Sequence, residues 1–242
     1  VGDSMTFGWG AAEEDAYHKK LERLLNRHGD RYEVINAGVG NYNSVQEVAY
    51  FLERGVRLQP DEVVLGFYIN DAEPTPSPNT NLLARTSYAY VVASSLVQTL
   101  GRQMGLRPTV TQYYDALYAD RQPGWEACSE ALVELSRVCR KLQIPLWIAL
   151  IPELHAPNKD YPFKRVHAAV AAIAQHEGVR AIDLLPAFDG VNPRDLWVSP
   201  GDAHPNAAGH DIIARAIYEA MQSDRARQRD ATAPATTEER ND

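Results

Sequence analysis

Short apolar runs alternate with helical patterns along this chain, and this alternation restricts the fold more than any other feature. The runs are YEVINAG (32–38), DEVVLGFYIND (61–71), IPLWIALIP (144–152) and VRAIDLLP (179–186). Each is short, almost continuously apolar and bounded by turn residues, which predicts a buried strand. Apolar residues at helical spacing predict helices over 14–27, 44–57, 124–142, 161–177 and 207–221.

Strands that alternate with helices predict a parallel sheet covered by helices on both faces, because the strands are apolar throughout rather than on one side. A βα unit should begin with a strand, but only Val1 precedes the first motif. We therefore expect Val1 to be the last residue of a truncated first strand. With 242 residues, of which 45% are hydrophobic and 23% charged, the chain is long enough for one large core.

Two segments depart from the alternating pattern. Residues 72–123 are longer than an ordinary connection and run from the Pro-rich AEPTPSPNTN through an apolar stretch to QYYDALYAD. Such an insertion commonly shapes a substrate pocket, although a crossover helix that packs on the sheet is an alternative. Residues 222–242 are polar and carry both signs of charge, which predicts a disordered tail after a catalytic domain at 1–221.

The charge of the chain argues against some partners. Its formal net charge is -8 and it has no block of Lys and Arg, which disfavours nucleic acid and anionic membrane surfaces. The longest uncharged run, 86–101, is too short to cross a bilayer, so we expect no membrane span in this sequence.

Cys128 and Cys139 lie eleven residues apart in one predicted helix. This spacing places them on one face but about 16 Å apart along the axis, which is too far for a disulfide. We expect two buried thiols rather than a metal or redox site.

Candidate functional residues follow the predicted strands. Ser4 follows the inferred first strand, Gly38 ends the second, and Asn70 ends the third. Asp202 and His204 stand in SPGDAHPNAAGHD, just before the last helix. Because the carboxyl ends of parallel strands form one ligand-binding edge, we expect these five residues to meet there.

This set of residues suits acyl transfer. A serine hydroxyl becomes a good nucleophile when an imidazole accepts its proton and a carboxylate orients the imidazole. Asp202 and His204 are close enough in sequence for the carboxylate to hold one ring nitrogen while the other faces Ser4. The candidate oxyanion donors are the Ser4 N–H, the Gly38 N–H and the Asn70 amide. Glycine at position 38 has no Cβ to obstruct the approach of the backbone to the tetrahedral centre.

The four motifs together resemble the SGNH (GDSL-type) hydrolase family. They occur in family order over residues 1–221, although GFYIND has two residues more between its glycine and Asn70 than the family's GxND. The resemblance implies a three-layer α/β/α, flavodoxin-like fold and ester or acyl-group chemistry. It implies Ser4 as nucleophile, Gly38 and Asn70 as oxyanion donors, His204 as base and Asp202 as its orienting partner.

The sequence therefore predicts a serine esterase that cleaves a small-molecule ester through an acyl-enzyme on Ser4, without a metal or organic cofactor. Short acyl esters, lipids and acetylated sugars are all candidate substrates. One alternative is an O-acyltransferase that passes the acyl group to a carbohydrate hydroxyl. Another is a non-catalytic binding module on the same scaffold, which the presence of all three residue types Ser, Asp and His disfavours.

Several neighbouring polar residues have simpler interpretations. We expect Asp3 and Asp71 to accept hydrogen bonds from local backbone N–H groups, and Asn206 to cap the last helix. His155, which follows the fourth predicted strand, could line a pocket. The other histidines are interpreted as surface or core residues: His18, His28, His167, His176 and His210.

Overall fold

The computed structural model describes residues 1–75, 108–158 and 160–232. Its main sheet contains three parallel strands in the order β1 (Val63–Phe67), β2 (Leu146–Leu150) and β3 (Arg180–Asp183). A separate antiparallel pair is formed by β4 (Trp197–Ser199) and β5 (Asp202–Pro205). The three strands of the main sheet lie within the runs at 61–71, 144–152 and 179–186 that the sequence predicted.

The α-helices of the described residues are α1 (Ser4–Phe7), α2 (Tyr17–Leu25), α3 (Ser44–Glu53), α4 (Val110–Leu117), α5 (Pro123–Lys141), α6 (Lys164–His176) and α7 (Ala207–Thr232). Their ends follow from local signals. Asn43 and Gln46 form a capping box at the start of α3, and Pro123 is the first residue of α5. All five predicted helices are therefore confirmed, with adjusted ends.

The side chains of β2 alternate between two hydrophobic layers. Leu146, Ile148 and Leu150 belong to one layer, and Trp147 and Ala149 belong to the other. Helices α3, α5 and α6 complete the first layer, while α2 and α7 complete the second. The sheet is thus covered on both faces, and the predicted three-layer α/β/α architecture is confirmed.

Val1 and Gly2 extend the sheet beyond β1. The Val1 nitrogen donates to the Val64 carbonyl and the Gly66 N–H donates to the Val1 carbonyl, both at 2.9 Å. Gly2 forms parallel bridges with Gly66 on one side and with Gly38 on the other. The glycine of the GDS motif therefore lies inside the sheet, between the segment at Gly38 and β1.

The strand predicted at 32–38 is wrong except at its last residue. Only Gly38 makes a bridge, and residues 32–37 have no strand structure. The backbone of this segment binds side chains instead of a neighbouring strand. The Tyr32 N–H donates to the Asn26 Oδ1 and the Val34 N–H donates to the Glu22 Oε2, both at 2.7 Å.

The prediction of a disordered tail is wrong for residues 222–232, because α7 continues to Thr232. Charged side chains hold this part of the helix against the sheet. Arg225 pairs with Glu62 at 2.5 Å and lies over the Tyr32 ring, while Asp224 pairs with Arg180 at 2.7 Å. The remaining tail, 233–242, lies outside the described residues.

Most of the predicted insertion, residues 76–107, also lies outside the described residues. Its Tyr-rich end forms α4, which contacts the turn after β1. The Tyr118 hydroxyl donates to the Ile69 carbonyl at 2.9 Å, and the Tyr114 hydroxyl donates to the Glu73 carboxylate at 3.1 Å. No helix of the described ranges is both long and apolar enough to span a bilayer.

The two cysteines are buried and free in α5, as predicted. Burial raises the pKa of the Cys139 thiol to about 11 and raises that of Cys128 well above its usual value. Both thiols are therefore protonated at neutral pH.

Candidate active site

Ser4 is the first residue of α1, immediately after the chain leaves the sheet. Asp3 caps this short helix, because its Oδ1 accepts the Met5 N–H at 2.8 Å, as predicted for Asp3. Gly8 ends the helix in the left-handed region, with φ of 86°. The strand–turn–helix geometry places the Ser4 hydroxyl at the carboxyl edge of the sheet.

The imidazole of His204 meets Ser4 at this edge, although the two residues lie 200 positions apart in sequence. The His204 Nε2 and the Ser4 Oγ are 2.9 Å apart. On the other side of the ring, Nδ1 lies 2.5 Å from Asp202 Oδ1. The same carboxylate oxygen accepts the His204 backbone N–H at 3.1 Å, which fixes the pair as a unit.

Asn206 anchors the hairpin that carries this pair. Its Oδ1 accepts the N–H groups of Ala208 and Gly209, which confirms Asn206 as the cap of α7. Its Nδ2 donates to the carbonyls of Asp195 and Trp197 at 2.9 and 3.1 Å. The helix start and the β4–β5 hairpin are thereby joined next to His204.

The surroundings of Asp202 favour its ionised form. Burial raises the pKa of Asp202, but hydrogen bonds from the His204 ring and backbone, with a further one from Trp9, hold it below its usual value. The Trp9 ring lies 6.3 Å from the imidazole of His204 and is 52% exposed. A charged carboxylate therefore faces Nδ1 at neutral pH, which is the state that stabilises an imidazolium.

Asn70 lies in the 3-10 turn Ile69–Ala72 that follows β1. Its amide hydrogen-bonds to Asp3, and its Oδ1 is buried without a partner among the described residues. The turn accommodates the two additional residues between the glycine of GFYIND and Asn70. Asn70 therefore still lies at the carboxyl edge, beside Asp3.

Behind the nucleophile lies a group of buried acids: Asp3, Glu47 and Asp71. Asp71 accepts hydrogen bonds from the Tyr68 N–H and the Ser44 hydroxyl, as expected for a structural carboxyl. Burial raises the pKa of Glu47 well above its usual value, and the charges of Asp71 and Asp3 raise it further. Glu47 was not among the predicted residues, although an acidic residue on the apolar face of α3 is a detectable signal.

The structure changes the interpretation of Gly38. The Gly38 N–H donates to the Asn36 Oδ1 at 2.9 Å, so it is not free to face an oxyanion in this structure, contrary to our expectation. A Cβ on Gly38 would lie 2.4 Å from the Phe7 nitrogen and 2.8 Å from the Thr6 carbonyl carbon. The glycine is therefore needed for close packing of this segment against α1.

Of the six histidines outside the site, three are buried (His18, His167, His210) and three are exposed (His28, His155, His176). Burial, together with the charges of Lys20 and His18, lowers the pKa of His210 to about 4. Among the residues that the structure describes, no group of three His, Cys, Asp or Glu side chains could hold a metal ion.

Comparisons with known proteins agree with this fold and these motifs. The sequence model of the GDSL-like Lipase/Acylhydrolase family matches residues 1–212. A search of curated proteins finds no significant sequence match.

Several solved structures share the fold. The crystal structure of TesA is similar with a TM-score of 0.61 and 15% identity, covering 92% of this chain and 96% of TesA. LAE5, an alpha/beta hydrolase enzyme from the metagenome of Lake Arreo, has a TM-score of 0.60 and 20% identity, covering 91% and 92% of the two chains. A mutant of Axe2, an acetyl-xylooligosaccharide esterase from a Geobacillus species, has a TM-score of 0.58 and 19% identity, covering 90% of each.

Proposed function

The chain belongs to the GDSL-like Lipase/Acylhydrolase family, and we propose that it is a serine esterase that cleaves small carboxylic esters through an acyl-enzyme on Ser4. The observation that carries this proposal is the continuous contact from Ser4 Oγ through the His204 ring to Asp202, with distances of 2.9 and 2.5 Å. A hydroxyl, an imidazole and a carboxylate in this order form the charge arrangement that activates a serine.

Acylation begins when Ser4 Oγ attacks the ester carbonyl carbon and His204 Nε2 accepts the hydroxyl proton. Asp202 stabilises the imidazolium that forms, because its ionised carboxylate stays on Nδ1. The tetrahedral intermediate collapses as the bond to the alcohol breaks, and His204 returns the proton to the leaving alkoxide. Water then attacks the acyl-enzyme with His204 as base, which regenerates Ser4 and releases the acid.

Two donors are available for the oxyanion. The Ser4 N–H donates to no acceptor in the described part of the chain, since it is the first amide of α1. The Asn70 amide is the second donor. It lies near the Ser4 N–H, because it hydrogen-bonds to Asp3, the residue before Ser4. The Gly38 N–H would become a third oxyanion donor only if its hydrogen bond to the Asn36 side chain broke.

The comparisons support ester chemistry. Axe2 is described as an acetylxylan esterase, and structures of its catalytic mutants replace a serine, an aspartate and a histidine with alanine. The same three residue types form the candidate site here. The structural match covers 90% of this chain and 90% of the Axe2 chain.

Hydrolysis of 4-nitrophenyl acetate tests the proposal. Ser4→Ala should abolish turnover while leaving the circular dichroism spectrum and the unfolding midpoint unchanged. Ser129→Ala is the matched control, because the Ser129 hydroxyl lies in α5 and, among the described residues, donates only to the Trp125 carbonyl. Equal activity in the two variants would refute the nucleophilic role of Ser4.

Product analysis separates hydrolysis from the alternative acyl transfer. With a free carbohydrate present, an esterase releases acetate as its main product. Accumulation of the acetylated carbohydrate would instead identify an O-acyltransferase. A folded protein that turns over no ester at all would revive the binding module.

A further inference from the structure

A second carboxylate–imidazole pair lies outside the triad. The backbone N–H of His155 donates to both carboxylate oxygens of Glu153 at 3.1 Å, and the His155 Nδ1 contacts Glu153 Oε1. The Asp202–His204 pair has the same spacing and the same two contacts, one to the backbone N–H and one to Nδ1. In both pairs, a carboxylate therefore fixes the imidazole of the histidine two residues later.

The two pairs lie at the same edge of the sheet. Glu153 and His155 follow β2, just as Asn70 follows β1. The loop is attached to the hairpin of the triad, because the Trp197 indole donates to the Leu154 carbonyl at 2.9 Å. Trp197 of β4 pairs with Pro205, the residue after His204, and directly opposed residues in such pairs have Cα atoms about 4.5–5.5 Å apart.

Burial differs between the two members of this second pair. The Glu153 side chain is 10% exposed, whereas the His155 side chain is 66% exposed. The imidazole lies against the Trp197 ring with centroids 5.0 Å apart. Its Nε2 has no hydrogen-bond partner among the described residues. The arrangement is thus a fixed imidazole that presents one free nitrogen to solvent beside an indole.

In the triad, the corresponding nitrogen contacts a hydroxyl, that of Ser4. When Nδ1–H points to the carboxylate, Nε2 carries a lone pair that accepts a hydrogen bond from a hydroxyl group. The Glu153 charge and the net charge of -8 disfavour an anionic ligand. The absence of a third metal-ligating side chain in the described ranges disfavours a cation site.

We propose that Glu153 and His155, with the Trp197 ring, form a subsite that binds a hydroxyl group on the alcohol side of the ester. The subsite selects esters of polyhydroxylated alcohols over esters of simple alcohols. This inference rests on the proposed esterase function and adds the class of alcohol that the site prefers.

The test compares two acetyl esters. The alcohol part of 6-O-acetylglucose carries hydroxyl groups, whereas that of 4-nitrophenyl acetate carries none. The measured quantity is the ratio of kcat/KM for the sugar ester to kcat/KM for the nitrophenyl ester. His155→Phe keeps a ring on Trp197 but removes both nitrogens, so the ratio should fall roughly 3- to 10-fold, as expected for one lost hydrogen bond. The loss should appear mainly in KM for the sugar ester.

Two further variants control for structural effects. His155→Gln restores a polar group near the position of Nε2 and should recover part of the ratio. His176→Phe is the matched control, because His176 is 85% exposed and also contacts a glutamate, Glu177, but lies at the end of α6 that leads into β3. It should leave the ratio unchanged.

The outcomes separate this inference from the proposed function. If the wild-type protein hydrolyses neither ester, the esterase function itself fails. If it hydrolyses only the nitrophenyl ester, the hydroxyl subsite is refuted but the esterase function is supported. The same conclusion follows if His155→Phe lowers kcat/KM equally for both esters or for neither.

Discussion

Substitution of Gly38 tests how the structure positions the nucleophile. In Gly38→Ala, the new methyl group would lie 2.4 Å from the Phe7 nitrogen, whereas ordinary van der Waals contact begins near 3.4 Å. The difference, 3.4 - 2.4, requires a displacement of about 1 Å between this segment and α1. The obstructing atoms are backbone atoms, so no side chain can rotate away. Overpacking of this kind costs about 1–3 kcal/mol of unfolding free energy.

The same displacement should impair catalysis, because α1 carries Ser4. A misplacement of about 1 Å between reacting groups can cost roughly 100-fold in rate. Gly40→Ala is the matched control, since no heavy atom in the described part of the chain lies within 4 Å of its new Cβ. Urea unfolding and hydrolysis of 4-nitrophenyl acetate should both show a clear loss in Gly38→Ala and little change in Gly40→Ala.

Two results would refute this reasoning. Equal stability and equal kcat/KM in the two variants would mean that the segment at Gly38 does not press on α1. Full stability with lost activity in Gly38→Ala would mean that the glycine faces the substrate, as the sequence alone suggested.

Three other predictions concern the site and its support. Asn70→Ala should raise the barrier for ester hydrolysis by about 2.7–4 kcal/mol, seen as a lower kcat, if its amide stabilises the oxyanion; a change in KM alone would argue for a binding role. Asp202→Asn should lower kcat by roughly 10⁴-fold with the fold intact, since an amide cannot stabilise the imidazolium of His204; a loss of less than tenfold would contradict this. Burial lowers the pKa of His210 from 6.5 to about 4, so this residue contributes stability above pH 6.5 that is lost as the pH falls towards 4. The shift of 6.5 - 4 = 2.5 in pKa corresponds to about 3 kcal/mol of unfolding free energy. His210→Leu should remove this part of the pH dependence of the unfolding free energy measured in urea, whereas His28→Leu, at an exposed position, should leave it unchanged.

The sheet could be predicted where a strand is buried on both faces. Runs such as IPLWIALIP are apolar throughout because β2 packs against helices on both sides. The run at 32–38 also predicted a strand, but it forms none before Gly38, because the N–H groups of Tyr32 and Val34 bind the side chains of Asn26 and Glu22 instead of a neighbouring strand. Similarly, the polarity of residues 222–232 predicted disorder, yet their charged groups pair with Glu62 and Arg180 far away in sequence.

The candidate site shows a similar division. Ser4, His204 and Asp202 could be predicted because acyl transfer requires those residue types at strand ends, and the structure brings their side chains into contact. The role of Gly38 could not be predicted, since it depends on the Asn36 side chain and on the backbone of α1. A detectable signal was missed in ELHAPN, where Glu153 and His155 repeat the spacing of Asp202 and His204.

Covalent labelling tests the central claim most directly. A fluorophosphonate reacts with a serine only when the hydroxyl is activated by a neighbouring base, so the folded protein should gain one adduct, located by peptide mass spectrometry on the segment that contains Ser4. Labelling should disappear in His204→Ala as well as in Ser4→Ala. A folded wild-type protein that gains no adduct, or gains it on another residue, would contradict the account.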